Sequence, residues 1–436
     1  MKRNFCSPIM PIKTYLLAFL LVNSLLALPV KIHAQDTLKV MVYNLLQYPS
    51  ASNYQTKNAY LDTIVNYVKP QILGVNELNP PSTNADNILN LVLKPRLSPS
   101  FTRAVFSNSN GSPVANMLYY DSAYFRMKAQ YSIPTAVREL NAYVLYYNDP
   151  TLSQSQDTTF LTVILAHLKA GNTPSDSLDR VAMSQAIVNW LNARPVPGNY
   201  MVMGDFNVYA SQEGCFQQLL NANAGVRMID PVNQLGNWNN NSAFSNWFTQ
   251  STRTSIEPDG GSNGGMDDRF DHMLINESIR DNTSRVHYLP GSYSIVGQDG
   301  IRFNQSLTSP ANTAVPASVA IALYGMSDHL PITTRLVFQP SVVSVENEIR
   351  GDFNWEVFPN PVHGVLNVKK LGTGLQKSCF IELLDVNGRV VYSENQQNSN
   401  SGGQSSLSVG SLQAGVYLLK IQEEGQLPVT RKIIKF

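Results

Sequence analysis

Six short segments of this chain end apolar runs in side chains suited to one kind of chemistry. Asn44 follows the alternating run Leu38–Tyr43, and Glu77 closes Gly74-Val75-Asn76-Glu77. His167 follows Leu161–Ala166, with Lys169 two residues on. Asp205 and Asn207 stand in Met203-Gly204-Asp205-Phe206-Asn207. Asp271 precedes His272 and the apolar Met273-Leu274-Ile275, and Asp328 and His329 lie in Ser327-Asp328-His329-Leu330-Pro331. Carboxylates, amides and imidazoles delivered one or two at a time from strand ends suit a hydrolytic site that holds a divalent metal and attacks a phosphate ester.

Each residue type has a fitting part. Glu77 is a hard oxygen ligand for a cation such as Mg²⁺. Asn44 can donate to a phosphate or stand near the metal. Asp205 and Asn207, two apart on an extended segment, share a face, so the amide can steady the carboxylate while it orients or deprotonates water. His167 can donate to a phosphoryl oxygen as charge develops, and Lys169 can face the same side. Asp328 can ligate metal while His329 donates to the scissile phosphate, with Asp271 the candidate that orients the ring. Singly, each has an ordinary alternative: a turn asparagine, an Asx turn, a solvated loop glutamate, a satisfied histidine at a strand tip.

The elements that must position these groups alternate between strand and helix from Thr37 to Phe338. Strands are expected at Leu38–Tyr43, Ile72–Val75, Met117–Tyr120, Ala142–Tyr147, Phe160–Ala166, Tyr200–Met203 and His272–Ile275, and another after Pro331. Ser177–Arg194 reads as the best helix, with Leu178, Val181, Ala182, Ile187 and Leu191 as its apolar stripe and Pro195 as its stop. Ile229–Met266, rich in Asn, Gly and Ser, is expected to form long loops beside the site, packed by Trp247 and Phe248. From Glu356 short alternating strands follow at Val365–Val368, Phe380–Leu384, Val390–Tyr392, Gly415–Ile421 and Thr430–Ile434. Asn387-Gly388 marks a hairpin turn, and Asn398–Ser406 reads as a polar loop. That rhythm predicts a small β-sandwich.

The bulk numbers agree with a two-domain exported protein. The chain has 436 residues, 43% hydrophobic and 14% charged, with a formal net charge of +1. Between Thr37 and Phe338 there are 19 Lys/Arg and 21 Asp/Glu, a net of −2, so no general polyanion affinity follows. Lys2, Arg3 and Lys13 accompany an apolar run of about 14 residues, Tyr15–Leu28, and Ile32-His33-Ala34 offers a cleavage site before Gln35. The expected organisation is a signal peptide at 1–34, a catalytic domain at 35–339, a linker at 340–354 and the small β domain at 355–436. No later run is long enough to span a bilayer. Cys215 and Cys379 fall in different domains, so no structural disulfide is expected.

In this order the six segments resemble the endonuclease/exonuclease/phosphatase superfamily, the fold of pancreatic-type deoxyribonucleases, abasic-site nucleases, bacterial sphingomyelinases and inositol-phosphate phosphatases. The likeness runs from about Asp36 to Phe338. It implies an α/β four-layered sandwich, two packed mixed sheets flanked by helices. By position, Asn44 and Glu77 resemble the family's metal-site pair, His167 its first catalytic histidine, and Asp205 and Asn207 the pair that positions water and phosphate. Asp271 resembles the carboxylate that orients the last histidine, with Asp328 and His329 the terminal pair and Asp328 at the metal. Arg138-Glu139 resembles a phosphate-contacting Arg-Glu, although Leu140 replaces the usual proline. Asn76 stands where a glutamine commonly precedes the metal glutamate.

The C-terminal segment resembles the sorting domain of the type IX secretion system, an immunoglobulin-like sandwich. The matching residues are Phe358-Pro359-Asn360-Pro361, Asp385-Val386-Asn387-Gly388-Arg389, Leu412-Gln413-Ala414-Gly415-Val416-Tyr417 and Arg431-Lys432-Ile433-Ile434. That likeness implies export from a Gram-negative cell through the type IX machinery, then release or surface attachment. The combined expectation is a secreted, monomeric phosphodiesterase dependent on Mg²⁺, with Mn²⁺ or Ca²⁺ as alternatives. Its leading form is an endonuclease or exonuclease acting on nucleic acid. The alternatives are a sphingomyelinase-like or small phosphate-ester hydrolase, and a catalytically silent surface binding protein.

Overall fold

Runs of period two build two mixed sheets, and the parity of each run decides which side chains meet between them. The computed structural model describes residues 35–340 apart from 51–53, 150, 156, 196–197 and 222–224. It also describes 355–436 apart from 372–377, 397–403, 425 and 427. The signal segment 1–34 and residues 341–354 of the linker lie outside the described residues. The chain divides into two units, residues 1–342 and 343–436.

In the first unit the strands are β1 (Asp36–Tyr48), β2 (Ile72–Leu78), β3 (Phe101–Arg103), β4 (Ala115–Asp121), β5 (Phe125–Ile133), β6 (Leu140–Tyr147), β7 (Phe160–Leu165), β8 (Tyr200–Asp205), β9 (Met228–Ile229), β10 (Asp271–Asn276), β11 (Val286–Tyr288), β12 (Ser294–Ile295) and β13 (Ile332–Phe338). One sheet has the order β11-β13-β1-β2-β4-β3, with β12 also on β13; the other runs β5-β6-β7-β8-β10-β9. Only β1–β2 and β7–β8 are parallel among these pairs. Leu161, Val163 and Leu165 of β7 and Met201 and Met203 of β8 join the core shared with the first sheet. Ile164 of β7 and Tyr200 and Val202 of β8 face the other way, onto Met183, Ile187, Val188 and Leu191 of the helix Pro174–Asn192. The sheets touch closely at Gly74, where a Cβ would sit 2.5 Å from Leu165 Cδ2 and 2.7 Å from Met203 Cε. Leu61, Ile64 and Val65 of the helix Tyr54–Val68 and Leu323 and Met326 of the helix Ala317–Met326 pack on the first sheet. The result is the expected four-layered sandwich. Each fully buried aliphatic side chain in it contributes about 1.5–3 kcal/mol.

The best-read helix keeps its place but turns its face. It starts at Pro174 behind a capping box, in which Thr173 accepts from Asp176 N and the Asp176 carboxylate from Thr173 N. Its buried positions are Arg180, Met183, Ser184, Ile187, Val188 and Leu191, whereas Leu178, expected inside, is 69% exposed. Arg180 takes the inward place because its guanidinium finds Glu213 and the carbonyls of Lys169 and Gly171. Trp238 and Phe248 are fully buried, and Trp247 packs on Tyr293, so these rings serve the core of the long loop. Cys215 and Cys379 are buried free thiols. Among the described residues no helix is long and apolar enough to cross a membrane.

The second unit holds two antiparallel sheets. With β14 (Trp355–Phe358), β15 (Val365–Lys370), β16 (Cys379–Leu384), β17 (Val390–Gln396), β18 (Gln404–Ser408), β19 (Gly415–Glu423) and β20 (Val429–Lys435), the orders are β14-β15-β18 and β17-β16-β19-β20. Of the segment expected as a polar loop, residues 398–403 lie outside the described residues, and 404–406 open β18, which pairs with β15 and turns Ser405 and Leu407 inward. Gly388 adopts φ +77° in the turn between β16 and β17 while Asn387 does not, so the turn is a longer one closed by Gly388 N to Asp385 O and Asp385 N to Arg389 O, with only the glycine left-handed.

Candidate active site

The parity that fills the core also aims the site. His167 continues Leu161, Val163 and Leu165; Asp205 continues Met201 and Met203; Asp271 continues Met273 and Ile275. All three therefore emerge on the inter-sheet side. The β7–β8 pairing extends past the strand end through Ala166 N to Met203 O and Leu168 N to Asp205 O, which sets His167 beside Asp205. Asp271 stands directly opposite Asp205 in the β8–β10 register. Gly204 makes this close approach possible: its φ is +140°, and a Cβ there would lie 2.0 Å from Ala166 O and 2.8 Å from Asn76 Oδ1. Glu77 arrives by breaking the alternation. Its φ is +57°, at a register shift in β2. A non-glycine residue in the left-handed region costs of order 1 kcal/mol and clusters at functional sites.

Asn44 is the hub. Its Nδ2 donates to Glu77 Oε1 and Asp205 Oδ2, both at 3.0 Å, and lies 3.4 Å from His329 Nε2. Its Oδ1 accepts from Leu46 N. His167 Nε2 is 3.7 Å from both Glu77 Oε1 and Asp205 Oδ2. His329 Nδ1 donates to Asp271 Oδ2 at 2.7 Å, and its Nε2 faces Asp205 Oδ2 at 3.7 Å. Seven of the expected residues, Asn44, Glu77, His167, Asp205, Asp271, Asp328 and His329, are thus gathered from six chain segments, with Arg138 against His167.

Three expected roles change in detail. The side chain of Asn207 does not steady Asp205; its backbone N–H does, at 2.9 Å to Oδ1, while its Nδ2 donates to Leu168 O. Lys169 is engaged elsewhere, donating to Asp176 Oδ1 at 2.5 Å and to Ala170 O, so its charge supports the helix start. Asp328 Oδ2 accepts from Gln250 Nε2 at 3.0 Å and from Ser262 N at 2.7 Å, while its buried Oδ1 has no hydrogen-bond partner.

Charge in the cluster is unevenly shared. Burial, reinforced by Asp271 and Glu77 and opposed by His329, pushes Asp205 up to about 7. Burial also raises Glu77. Burial pulls His329 down, but the carboxylates of Asp271, Asp328 and Asp205 together outweigh it and hold the ring well above its usual value. His167 is driven well below its usual value by burial and then by the charges of Arg138 and His329. Arg138 Nη1 sits 2.6 Å from both nitrogens of the His167 ring; a guanidinium can only donate, so it bonds the one nitrogen that carries no proton. His167 is therefore a neutral ring beside two carboxylates, which is the setting of a ligand more than of a charged donor.

Glu77, His167 and Asp205 each present one ligand atom within 4.8 Å of the others. With metal–ligand bonds of about 2.1 Å, ligands at right angles lie roughly 3.0 Å apart and opposed ones roughly 4.2 Å, so small adjustments let this set close on one ion. Two carboxylates suit a hard divalent cation, and the imidazole shifts preference toward Mn²⁺ relative to Ca²⁺. The expected set Asn44, Glu77 and Asp328 overlaps this one only at Glu77.

Sequence reading missed the support behind the cluster. Asp205 N donates to Asn76 Oδ1, Asn76 to Asn116, Asn116 to Asn141, and Asn141 to Glu139 Oε1. This buried relay crosses from the second sheet to the first and back, and ends on Glu139, which also accepts from Ser109 and Ser132. Glu139 is therefore an anchor of the scaffold. Gln250 was missed as well. A cavity of about 640 Å³, lined in part by Lys39, Tyr67, Leu289, Val315 and Arg335, contributes none of the cluster's residues.

Residues 41–329 match the Endonuclease/Exonuclease/phosphatase family, and residues 356–435 match the secretion system C-terminal sorting domain. The chain belongs to the Endonuclease/Exonuclease/phosphatase family, a phosphoester-hydrolase class whose members generally depend on divalent metal, and it ends in a secretion-system sorting domain. Similar solved structures include D. rerio TDP2 complexed with single strand DNA product, at 14% identity over 69% of this chain and 99% of that one, with a TM-score of 0.44. The human Nocturnin catalytic domain with bound sulfate anion is 14% identical over 70% and 97%, with a TM-score of 0.43. An endonuclease/exonuclease/phosphatase from Bacteroides vulgatus is 13% identical over 70% and 99%, also with a TM-score of 0.43. No curated protein matches the chain.

Proposed function

We propose that the protein is an exported, divalent-metal-dependent phosphodiesterase, foremost a nuclease. The observation that carries this reading is the convergence of Asn44, Glu77, Asp205 and His329 on one point, with Asp271 behind the last ring. Asp205, raised by burial and further by the carboxylates of Asp271 and Glu77, orients a water and takes its proton as the water attacks phosphorus in line. His329 donates from Nε2 to a phosphoryl oxygen, its ring held by Asp271. Asn44 ties the Glu77 and Asp205 carboxylates together by donating to both. Arg138, close behind His167, adds positive charge on the phosphate side. Mg²⁺ or Mn²⁺ held by Glu77 and Asp205, with His167 or Asp328 beside them, would neutralise the phosphoryl charge.

The sorting domain supports export through the type IX machinery, leaving the enzyme outside the cell or on its surface. The net charge of −2 over Thr37–Phe338 gives DNA no electrostatic advantage over small or lipid esters. The test is therefore hydrolysis of supercoiled DNA, RNA, sphingomyelin and a small phosphodiester with Mg²⁺ or Mn²⁺, beside His329→Ala. Nicking or degradation of nucleic acid that is lost in the variant supports the nuclease. Headgroup release alone moves the protein to the phospholipase branch. No turnover of any substrate overturns the reading.

A further inference from the structure

Gln250 lies in the long Asn- and Gly-rich segment, yet its side chain meets the two residues at the end of the catalytic set. Its backbone is paired on both sides: Gln250 N donates to Asp268 O, Asp267 N and Asp268 N donate to Gln250 O, and Leu330 N donates to the adjacent Thr249 O. Gln250 also stands opposite His329 in an isolated antiparallel bridge. Opposed residues in such a bridge bring their side chains within contact range. The carboxamide Nε2 is 3.0 Å from Asp328 Oδ2 and 2.7 Å from His329 Nε2. All three side chains are at least nine-tenths buried.

Consecutive residues on an extended segment point apart, so nothing in the local chain fixes the Asp328 carboxylate relative to the His329 ring. Asp271 grips the ring at Nδ1, so the direction of the opposite, Nε2 edge is set by the groups packed around it. Asp328 Oδ1 has no partner, so Oδ2 is the atom by which the carboxylate is tied. We propose that Gln250 is a positioning residue for the hydrolysis described above, on which this inference rests. Its carboxamide donates to Asp328 Oδ2 and packs against the Nε2 edge of His329, and by holding that position it sets where the edge points. Because the backbone ladder does not use the side chain, replacing the carboxamide leaves the segment in place.

The test compares wild type with Gln250→Met, which keeps length and loses the bond to Asp328, and Gln250→Glu, which keeps shape and sets an acceptor against Asp328. On a small phosphodiester at saturating Mn²⁺, Gln250→Met should lower kcat roughly 10- to 100-fold, as loss of one buried hydrogen bond to a carboxylate implies. KM should stay within about threefold and Tm within a few degrees, and Gln250→Glu should fall at least as far. Independently of turnover, ¹⁵N-histidine NMR, with His329 assigned from His329→Ala, should show its Nε2 signal moving in Gln250→Met while Nδ1 stays. A kcat within about twofold of wild type, or an unmoved His329 ring, overturns the proposal. An inactive wild type overturns the functional reading instead, and the ring signals then decide the part of Gln250 alone.

Discussion

Asp271→Asn isolates the contact that gives His329 its direction. The bond from His329 Nδ1 to Asp271 Oδ2 is 2.7 Å, and the two side chains are 4% and 1% exposed. A buried hydrogen bond to a charged group is worth about 1.5–3 kcal/mol, and about 1.36 kcal/mol is tenfold in rate. The variant should therefore lose roughly 10- to 150-fold in kcat. Asparagine keeps the volume, and the backbone bond from Asp271 N to Thr249 Oγ1 does not involve the side chain, so Tm should move by only a few degrees. The loss should also depend on pH. Asp271 is the leading carboxylate that keeps the ring charged against its burial. Without it the ring loses its proton at lower pH, so the deficit against wild type should widen as pH rises. The assay is steady-state hydrolysis of a small phosphodiester from pH 6 to 9, with melting curves of both proteins. A variant within about threefold of wild type across that range, while His329→Ala is inactive, would refute the orienting role.

Gly204→Ala should be among the most damaging small substitutions, because its Cβ would meet Ala166 O at 2.0 Å in a backbone at φ +140°. A loss on the order of 2–4 kcal/mol in urea unfolding is expected, and an unchanged midpoint would contradict the close packing of β7 against β8. Glu139 makes a prediction about acid. Burial opposes its charge, but bonds from Ser107, Ser109 and Ser132 outweigh that and hold it down at about 2, against an ordinary 4.5. Its stabilising share is present above 4.5 and is lost as pH falls through about 2. Glu139→Gln should thus melt lower than wild type at pH 7, with the gap closing across that window; a gap independent of pH would contradict it.

Much of this was legible because strand parity is simple. Runs such as Leu161-Val163-Leu165 and Met201-Met203 fix which side His167 and Asp205 face, and both follow directly from the residues. Glu77 was legible by type but not by geometry, since its left-handed backbone interrupts the alternation. The asparagine relay through Asn76, Asn116 and Asn141 left no local trace, because partners 25 to 40 residues apart meet only after the sheets pack. Gln250 was hidden for the same reason: a glutamine in a loop carries no period, and its value comes from a bridge to a residue 79 positions away. Leu178 and Arg180 show the converse error. Hydrophobicity alone placed the leucine inside, whereas a satisfied guanidinium took the inward position.

The central claim is that Glu77 and its neighbours form a divalent-metal centre for phosphodiester hydrolysis. The most direct test is the rate of hydrolysis of a small phosphodiester by metal-stripped protein as Mn²⁺ is added, in wild type and Glu77→Gln. Saturable activation in wild type, with at least a roughly 100-fold lower plateau or no activation in the variant, is the predicted result. Activity that survives metal removal, or activation that is the same in Glu77→Gln, would contradict it.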